Sequence, residues 1–319
     1  MSFAQKPAFC LPDGFLGLNT SPWPSIDAAD LTAFALAGIP YDGAVTNRSG
    51  ARVGPQAIRN ASRMLCDAEH PLFGCSPIHT LLDYGNLRIP LAHLNDVRAS
   101  IEPQIAHLLA IHHMVWLGGD HSISLAILRQ LYKRYRLPLA LIHLDAHCDA
   151  WPDHFGEPSG HGTWVHEALN EGLILPQCTM QIGIRSPAAS AVRKRVEEAG
   201  GIVLEARDLR GCFSSKDWSR WLDPFRIRLE QAGQAPLYLS IDIDCLDPGF
   251  APGTGTPEPA GLTPSQVMTL LEDTSDWPFV GMDLCEVAPA YDHAEITSLN
   301  AAHFVWTYLC GQIQRLSRS

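Results

Sequence analysis

Short apolar runs separated by amphipathic stretches recur along most of the chain. Residues 34–39, 114–117, 139–144, 180–184, 201–204, 237–243 and 279–284 have the length and composition of strands buried on both faces. Between them, residues 122–135 space Leu125, Leu128 and Leu131 along one helical face. A further helix is expected from Thr263, a good N-cap. Pro264 then takes the first helical position, and Val267, Leu270 and Leu271 fall on one side. This alternation predicts an α/β fold with a mostly parallel sheet and helices on both sides. No Ser/Gly-rich linker and no internal repeat interrupts it, so residues 32–319 are expected to form one domain. Residues 1–31 lack the pattern and read as an N-terminal arm lying on the body or on a neighbouring subunit. Residues 248–264, rich in Pro, Gly and Thr, follow a strand directly. Ligands of open α/β sheets bind beyond the carboxyl ends of strands, which makes this stretch a candidate wall of a site.

Composition narrows the function classes. The 319 residues carry 23 Lys+Arg against 34 Asp+Glu, a net charge of −11. With four lysines and no basic run, the chain lacks the clustered cations that a nucleic-acid partner requires. The first residues have no apolar signal-peptide core, and no run approaches the ~20 apolar residues of a spanning helix, which points to a cytoplasmic protein without membrane attachment. Nine cysteines without a Cys-x-x-Cys pair fit reduced thiols.

The chemistry gathers at three strand ends. Leu141-Ile142-His143-Leu144-Asp145-Ala146-His147-Cys148-Asp149 leaves a strand with Asp145, His147 and Asp149 two residues apart, which in extended chain would project to one side. Ser240-Ile241-Asp242-Ile243-Asp244 repeats the spacing, and Gly118-Gly119-Asp120-His121 carries His121 past a third strand. Four aspartates held together would raise one another's pKa unless cations lay among them, and two divalent ions balance four carboxylates. Four carboxylates with two imidazoles form a hard, oxygen-rich donor set that suits Mn²⁺, with Ni²⁺ accessible through the imidazoles. Cys148 falls out of phase with its neighbours and should point away.

These motifs, together with Ser49-Gly50-Ala51-Arg52-Val53-Gly54-Pro55, Gly253-Thr254-Gly255-Thr256-Pro257-Glu258 and Gly281-Met282-Asp283-Leu284-Cys285-Glu286, resemble the ureohydrolase family of arginases, agmatinases and guanidino-acid hydrolases. The agmatinase-like branch is the nearest in pattern. The resemblance implies the three-layer α/β/α arginase fold and a binuclear manganese site on His121, Asp145, His147, Asp149, Asp242 and Asp244. His161, in Gly160-His161-Gly162-Thr163, would stand beside the metals, and Glu286 would hold the substrate guanidinium. A water between the ions would attack the guanidinium carbon, with Asp149 accepting its hydrogen bond and His161 supplying the proton for amine departure. Urea and an amine would result. Trimers or hexamers of one chain are the expected assembly.

Substrate choice is less legible. The loop of residues 150–160 is expected to line the tail pocket and departs from the usual agmatinase pattern, carrying Trp151 and His154 and followed by Trp164. A bulky pocket would favour a compact tail, and a protonated His154 would suit a carboxylate. Asp292 and Glu295 near the mouth would instead favour a cationic tail. Agmatine, giving putrescine, is the first expectation. The alternatives are 4-guanidinobutyrate, 3-guanidinopropionate, guanidine or a biguanide. An arginase-fold deacylase and a non-catalytic partner subunit are the competing classes.

Overall fold

The computed structural model describes residues 11–24, 34–65, 67–233 and 235–318. Eight strands form one sheet: β1 (Phe34–Ile39), β2 (Leu81–Asn86), β3 (His113–Gly118), β4 (Leu139–Leu144), β5 (Ile174–Ile184), β6 (Ile202–Glu205), β7 (Leu237–Asp242) and β8 (Phe279–Cys285). Their order is β2-β1-β3-β8-β7-β4-β5-β6, and every pairing is parallel. The seven apolar runs all become strands. β2 was not foreseen from the sequence, because its apolar run is only Leu81-Leu82 before the buried Asp83, with Gly85-Asn86 closing it.

The helices among the described residues are α1 (Gly54–Ser62), α2 (Leu94–Ile111), α3 (Ile123–Tyr135), α4 (Trp164–Asn170), the single turns α5 (Ser190–Arg193) and α6 (Arg195–Glu198), α7 (Ser215–Gln231), α8 (Pro264–Asp273) and α9 (Ile296–Arg318). Successive strand residues feed two separate cores, as the two-residue period requires. Phe34 and Leu36 of β1 and Ala140, Ile142 and Leu144 of β4 pack with α1, α7, α8 and α9. Ala35, Ala37 and Ile39, with Leu139 and Leu141, pack with α2, α3 and α4. The result is a three-layer α/β/α sandwich. Thr263 caps α8 as expected, in a reciprocal pair with Gln266.

Of the expected arm, residues 11–24 lie against the sheet edge. Phe15 N–H donates to Asp83 Oδ2 at 2.8 Å and Leu16 N–H to Ser62 Oγ at 2.7 Å. The arm's residues 1–10 and 25–31 lie outside the described residues. No helix among the described residues is long and apolar enough to cross a membrane.

One consequence of the strand order positions the chemistry. β3, β8, β7 and β4 are consecutive neighbours in a parallel sheet, so their carboxyl ends open side by side along one edge. The polypeptide that leaves those four ends carries His121, Glu286, Asp242 with Asp244, and Asp145 with His147 and Asp149.

Candidate active site

His121 reaches the edge through Gly119, where a Cβ would stand 1.7 Å from the Tyr41 carbonyl oxygen, so only glycine lets the two backbones approach. Its Nε2 lies 2.8 Å from Ser240 Oγ, and that hydroxyl donates to Asp283 Oδ1 at 2.6 Å. Tyr238 and Ser124 hydroxyls hold the other Asp283 oxygen at 3.0 and 2.9 Å. This relay places a proton on Nε2 and makes Nδ1 the ring nitrogen available to a cation. Nδ1 is buried, has no hydrogen-bond partner, and faces Asp145 Oδ2 at 3.2 Å, Asp242 Oδ2 at 3.3 Å and Asp149 Oδ2 at 3.4 Å.

A second group of donors adjoins the first. His147 Nδ1 lies 3.0 Å from Asp244 Oδ2 and 3.3 Å from Asp145 Oδ1, so Asp145 gives one oxygen to each group. All six expected ligands therefore come together. Asp242 closes β7, and its Oδ1 accepts the Asp244 N–H at 2.8 Å, which fixes Asp244 in the following turn.

Asp145, His147 and Asp149 converge by another route than the extended chain expected. β4 ends at Leu144, and the segment turns back with Asp149 in the left-handed region at φ 49°. Cys148 is turned away, as expected, and packs with Ala150 and Ile184.

Electrostatics agree with a cation site. Burial, then the charge of Asp145, holds Asp149 well above the usual carboxylate range; burial, then Asp244 and Asp145, does the same to Asp242. A buried imidazole nitrogen without a hydrogen-bond partner facing three carboxylate oxygens, beside a second nitrogen facing two more, is a donor set suited to two divalent cations.

Several supporting residues escaped the sequence reading. His143 donates from Nε2 to Asp145 Oδ2 at 2.8 Å and receives the Gln181 amide on Nδ1 at 3.0 Å. Burial lowers its pKa, which keeps the ring neutral and able to do both. Its position two residues before Asp145 on the same strand was the available signal. Arg185 gathers the carbonyl oxygens of Asp244, Cys245, Leu246 and Glu258 at 2.6–3.2 Å, pinning the expected wall of residues 248–264 to the cluster. Thr256 of that wall donates to Asp244 Oδ2 at 3.2 Å.

Glu286 follows β8 at φ 66°, a costly conformation for a non-glycine residue. Its Oε1 accepts the His121 N–H and the His161 Nδ1–H, each at 2.9 Å, while Oε2 is buried with no partner. Burial depresses the pKa of His161, but the hydrogen bond and charge of Glu286, with Asp120 and Asp149 behind them, push it up to about 9. Thr46 serves both protonation states of that ring. Its hydroxyl, 2.9 Å from Nε2, accepts from an imidazolium, and its backbone N–H, at 3.1 Å, donates to the neutral form.

A cavity of about 400 Å³ opens onto this centre, lined by His147, Asp149, Asp242, His161 and Thr256 below and by Thr46, Trp151, Asp153, His154 and Phe155 towards solvent. Trp151 and His154 thus stand where the sequence placed them, with ring centroids 5.3 Å apart. The expected protonation of His154 is corrected. Burial first, then His161 and His147, pull its pKa down to about 4, so the ring is neutral at pH 7 and offers a carboxylate no charge.

Asp292 is corrected too. Its Oδ1 accepts the Thr297 N–H at 2.9 Å and its Oδ2 the N–H and hydroxyl of Ser298 at 3.0 Å, so it caps α9. Glu295 lies exposed on the same turn, and neither acid lines the cavity.

A parallel α/β/α sandwich carrying a buried double carboxylate–imidazole cluster at its carboxyl edge has the form of a two-metal hydrolase. Comparison with known proteins makes the assignment specific: a family model described as the arginase family matches residues 32–311, and the chain belongs to that family. The agmatinase of Chromobacterium violaceum is 39% identical over 279 residues, covering 86% of this chain and 82% of its own. The mitochondrial guanidino acid hydrolase of Homo sapiens is 36% identical over 92% of this chain and 80% of its own. Among solved structures, the proclavaminate amidino hydrolase of Streptomyces clavuligerus superposes with a TM-score of 0.86 at 33% identity, covering 97% of this chain and all of that one.

Proposed function

We propose that this protein hydrolyses a guanidino compound to urea and an amine, with agmatine, cleaved to putrescine, as first substrate. The observation that carries the proposal is the unpartnered Glu286 Oε2, a buried carboxylate oxygen beside the cation cluster and His161. A guanidinium is planar, permanently charged and rich in N–H donors, and it meets such an oxygen with a charge-assisted hydrogen bond, stronger than a neutral donor gives. His121, Asp145, His147, Asp149, Asp242 and Asp244 would hold the metals, Mn²⁺ by the hardness of the donor set, with Ni²⁺ the alternative. Two divalent ions held there would supply a water of lowered pKa as the nucleophile.

The chain's own groups do the rest. Glu286 orients the guanidinium so that its carbon faces the cluster. Asp149 accepts a proton from the attacking water, and His161 donates one to the departing nitrogen, so that the products leave as urea and an ammonium ion. Guanidinium and water supply every atom of the two products.

The cavity supports a cationic or neutral tail. Asp153 is the acid among its outer lining residues, none of which is a lysine or arginine, and His154 is uncharged. A guanidino acid is the second reading, favoured by the names of the human and Streptomyces relatives. Two donor groups sharing Asp145 favour this chemistry over a single-metal deacylase, and the complete ligand set favours it over a non-catalytic subunit. A cytoplasmic homo-oligomer, trimer or hexamer, with residues 32–319 as catalytic domain and 1–31 as an arm, completes the proposal.

The test is urea release by purified, Mn²⁺-loaded protein from agmatine, 4-guanidinobutyrate, 3-guanidinopropionate, guanidine and a biguanide. Agmatine should give the highest kcat/KM. Turnover confined to the two acids would move the assignment to the second reading, and urea from none of the five would refute the activity.

A further inference from the structure

Asp149 is held by one element at two points. The backbone N–H groups of Val165 and His166, in the first turn of α4, donate to its carbonyl oxygen at 3.0 and 3.3 Å. The indole Nε1–H of Trp164, the first residue of α4, donates to its carboxylate Oδ2 at 2.7 Å. Trp164 is completely buried, and its ring lies against both His121 and His143, with centroids 4.9 Å from each. The oxygen it engages is the one that faces His121 Nδ1.

Asp149 needs such restraint. At φ 49° its backbone is in a sparsely populated region, and a carboxylate crowded by like charges has every reason to rotate away. We propose that Trp164 is a positioning residue for Asp149: its indole N–H fixes Oδ2 towards the His121 cation site and thereby leaves Oδ1 free to face the cavity and take the proton of the attacking water. The geometry explains why the chain places tryptophan immediately after Gly160-His161-Gly162-Thr163. The ring fills the space behind the two histidines, and its one polar atom meets the one carboxylate that must serve metal and water together. This deepens the two-cation hydrolase reading and rests on it.

Trp164→Phe keeps an aromatic side chain at this position and removes the donor together with the five-membered ring that carries it. Orienting hydrogen bonds to metal ligands are worth about 10–100-fold in metal affinity or activity. Mn²⁺ titrated calorimetrically into the metal-stripped variant should therefore bind one of its two sites about 10–100-fold more weakly than in the wild type. In the Mn²⁺-saturated variant, kcat for urea release should fall by about tenfold or more while KM for agmatine stays within about twofold. A tryptophan with only a packing role would lower the unfolding temperature and leave both quantities alone. If the phenylalanine variant does not fold, benzothienylalanine at position 164, which keeps the ring size and replaces the N–H by sulfur, is carried through the same two measurements. Wild-type Mn²⁺ affinity together with wild-type kcat in the folded variant would overturn the proposal while the hydrolase reading stands. A wild-type protein that takes up no Mn²⁺ would overturn the two-cation reading and this one with it.

Discussion

At Asp149 and Glu286 the backbone takes positive φ although neither residue is glycine. Each such conformation costs about 1–2 kcal/mol, and it persists where surrounding contacts over-determine it. The candidate ligands were legible in the sequence because Asp and His crowd three strand ends. The backbone twist that makes them converge was not, since nothing local in Asp145 to Asp149 distinguishes a turn from extended chain. His161 shows the same division: its motif suggested a place beside the carboxylate–imidazole cluster, but only the fold brings Glu286 to its Nδ1 and Thr46 to its Nε2. A pH prediction follows. The folded pKa of His161 is raised from 6.5 to about 9, so its contribution to stability is complete below pH 6.5 and is lost as pH rises through about 9. In the proposed reaction the same proton goes to the leaving amine. For the wild type, kcat/KM for agmatine should fall with a one-proton slope above about pH 9. His161→Asn, with no proton to lose there, should be much slower and lack that limb. An unchanged alkaline limb in the variant would remove His161 from the proton transfer.

Elements, rather than residues, decide which acids reach the site. Asp292 sits near the mouth in sequence but is consumed by the amino end of α9, whose Thr297 and Ser298 N–H groups it accepts. The sequence signal was ambiguous because an acid before a long helix serves equally well as a cap. Asp292→Ala should cost about 0.5–2 kcal/mol of stability and leave KM for agmatine unchanged; thermal unfolding and initial rates measure the two. A raised KM with an unchanged unfolding temperature would return Asp292 to the substrate. β2 escaped the sequence reading for a related reason. Its Asp83 is buried on a two-pronged ion pair, with Arg59 Nε and Nη2 at 2.8 and 2.9 Å. The hydrophobic period that betrays other strands is interrupted there by a charge that only tertiary pairing makes tolerable. The strands that end in chemistry, β3, β4, β7 and β8, were readable because they are central and mostly apolar, with His113, His143, Ser240 and Asp283 as isolated interruptions.

On the scale of the whole molecule, the strand order is what turns scattered motifs into a centre. Chain segments more than a hundred residues apart meet because β3, β8, β7 and β4 lie side by side, an order that alternation of strands and helices does not specify. The acidic net charge of −11 also changes meaning, since four of the 34 acids, Asp145, Asp149, Asp242 and Asp244, are buried together and are no part of the outer surface. The proposed activity requires that this cluster hold two cations that support cleavage of a guanidinium. The most direct measurement is urea release from agmatine as a function of Mn²⁺ bound per chain, for the wild type and for Asp242→Ala. Activity should rise to a plateau at two ions per chain, and the variant should lose both bound metal and turnover. A plateau at one ion, or full activity in an Asp242→Ala protein depleted of metal, would contradict it.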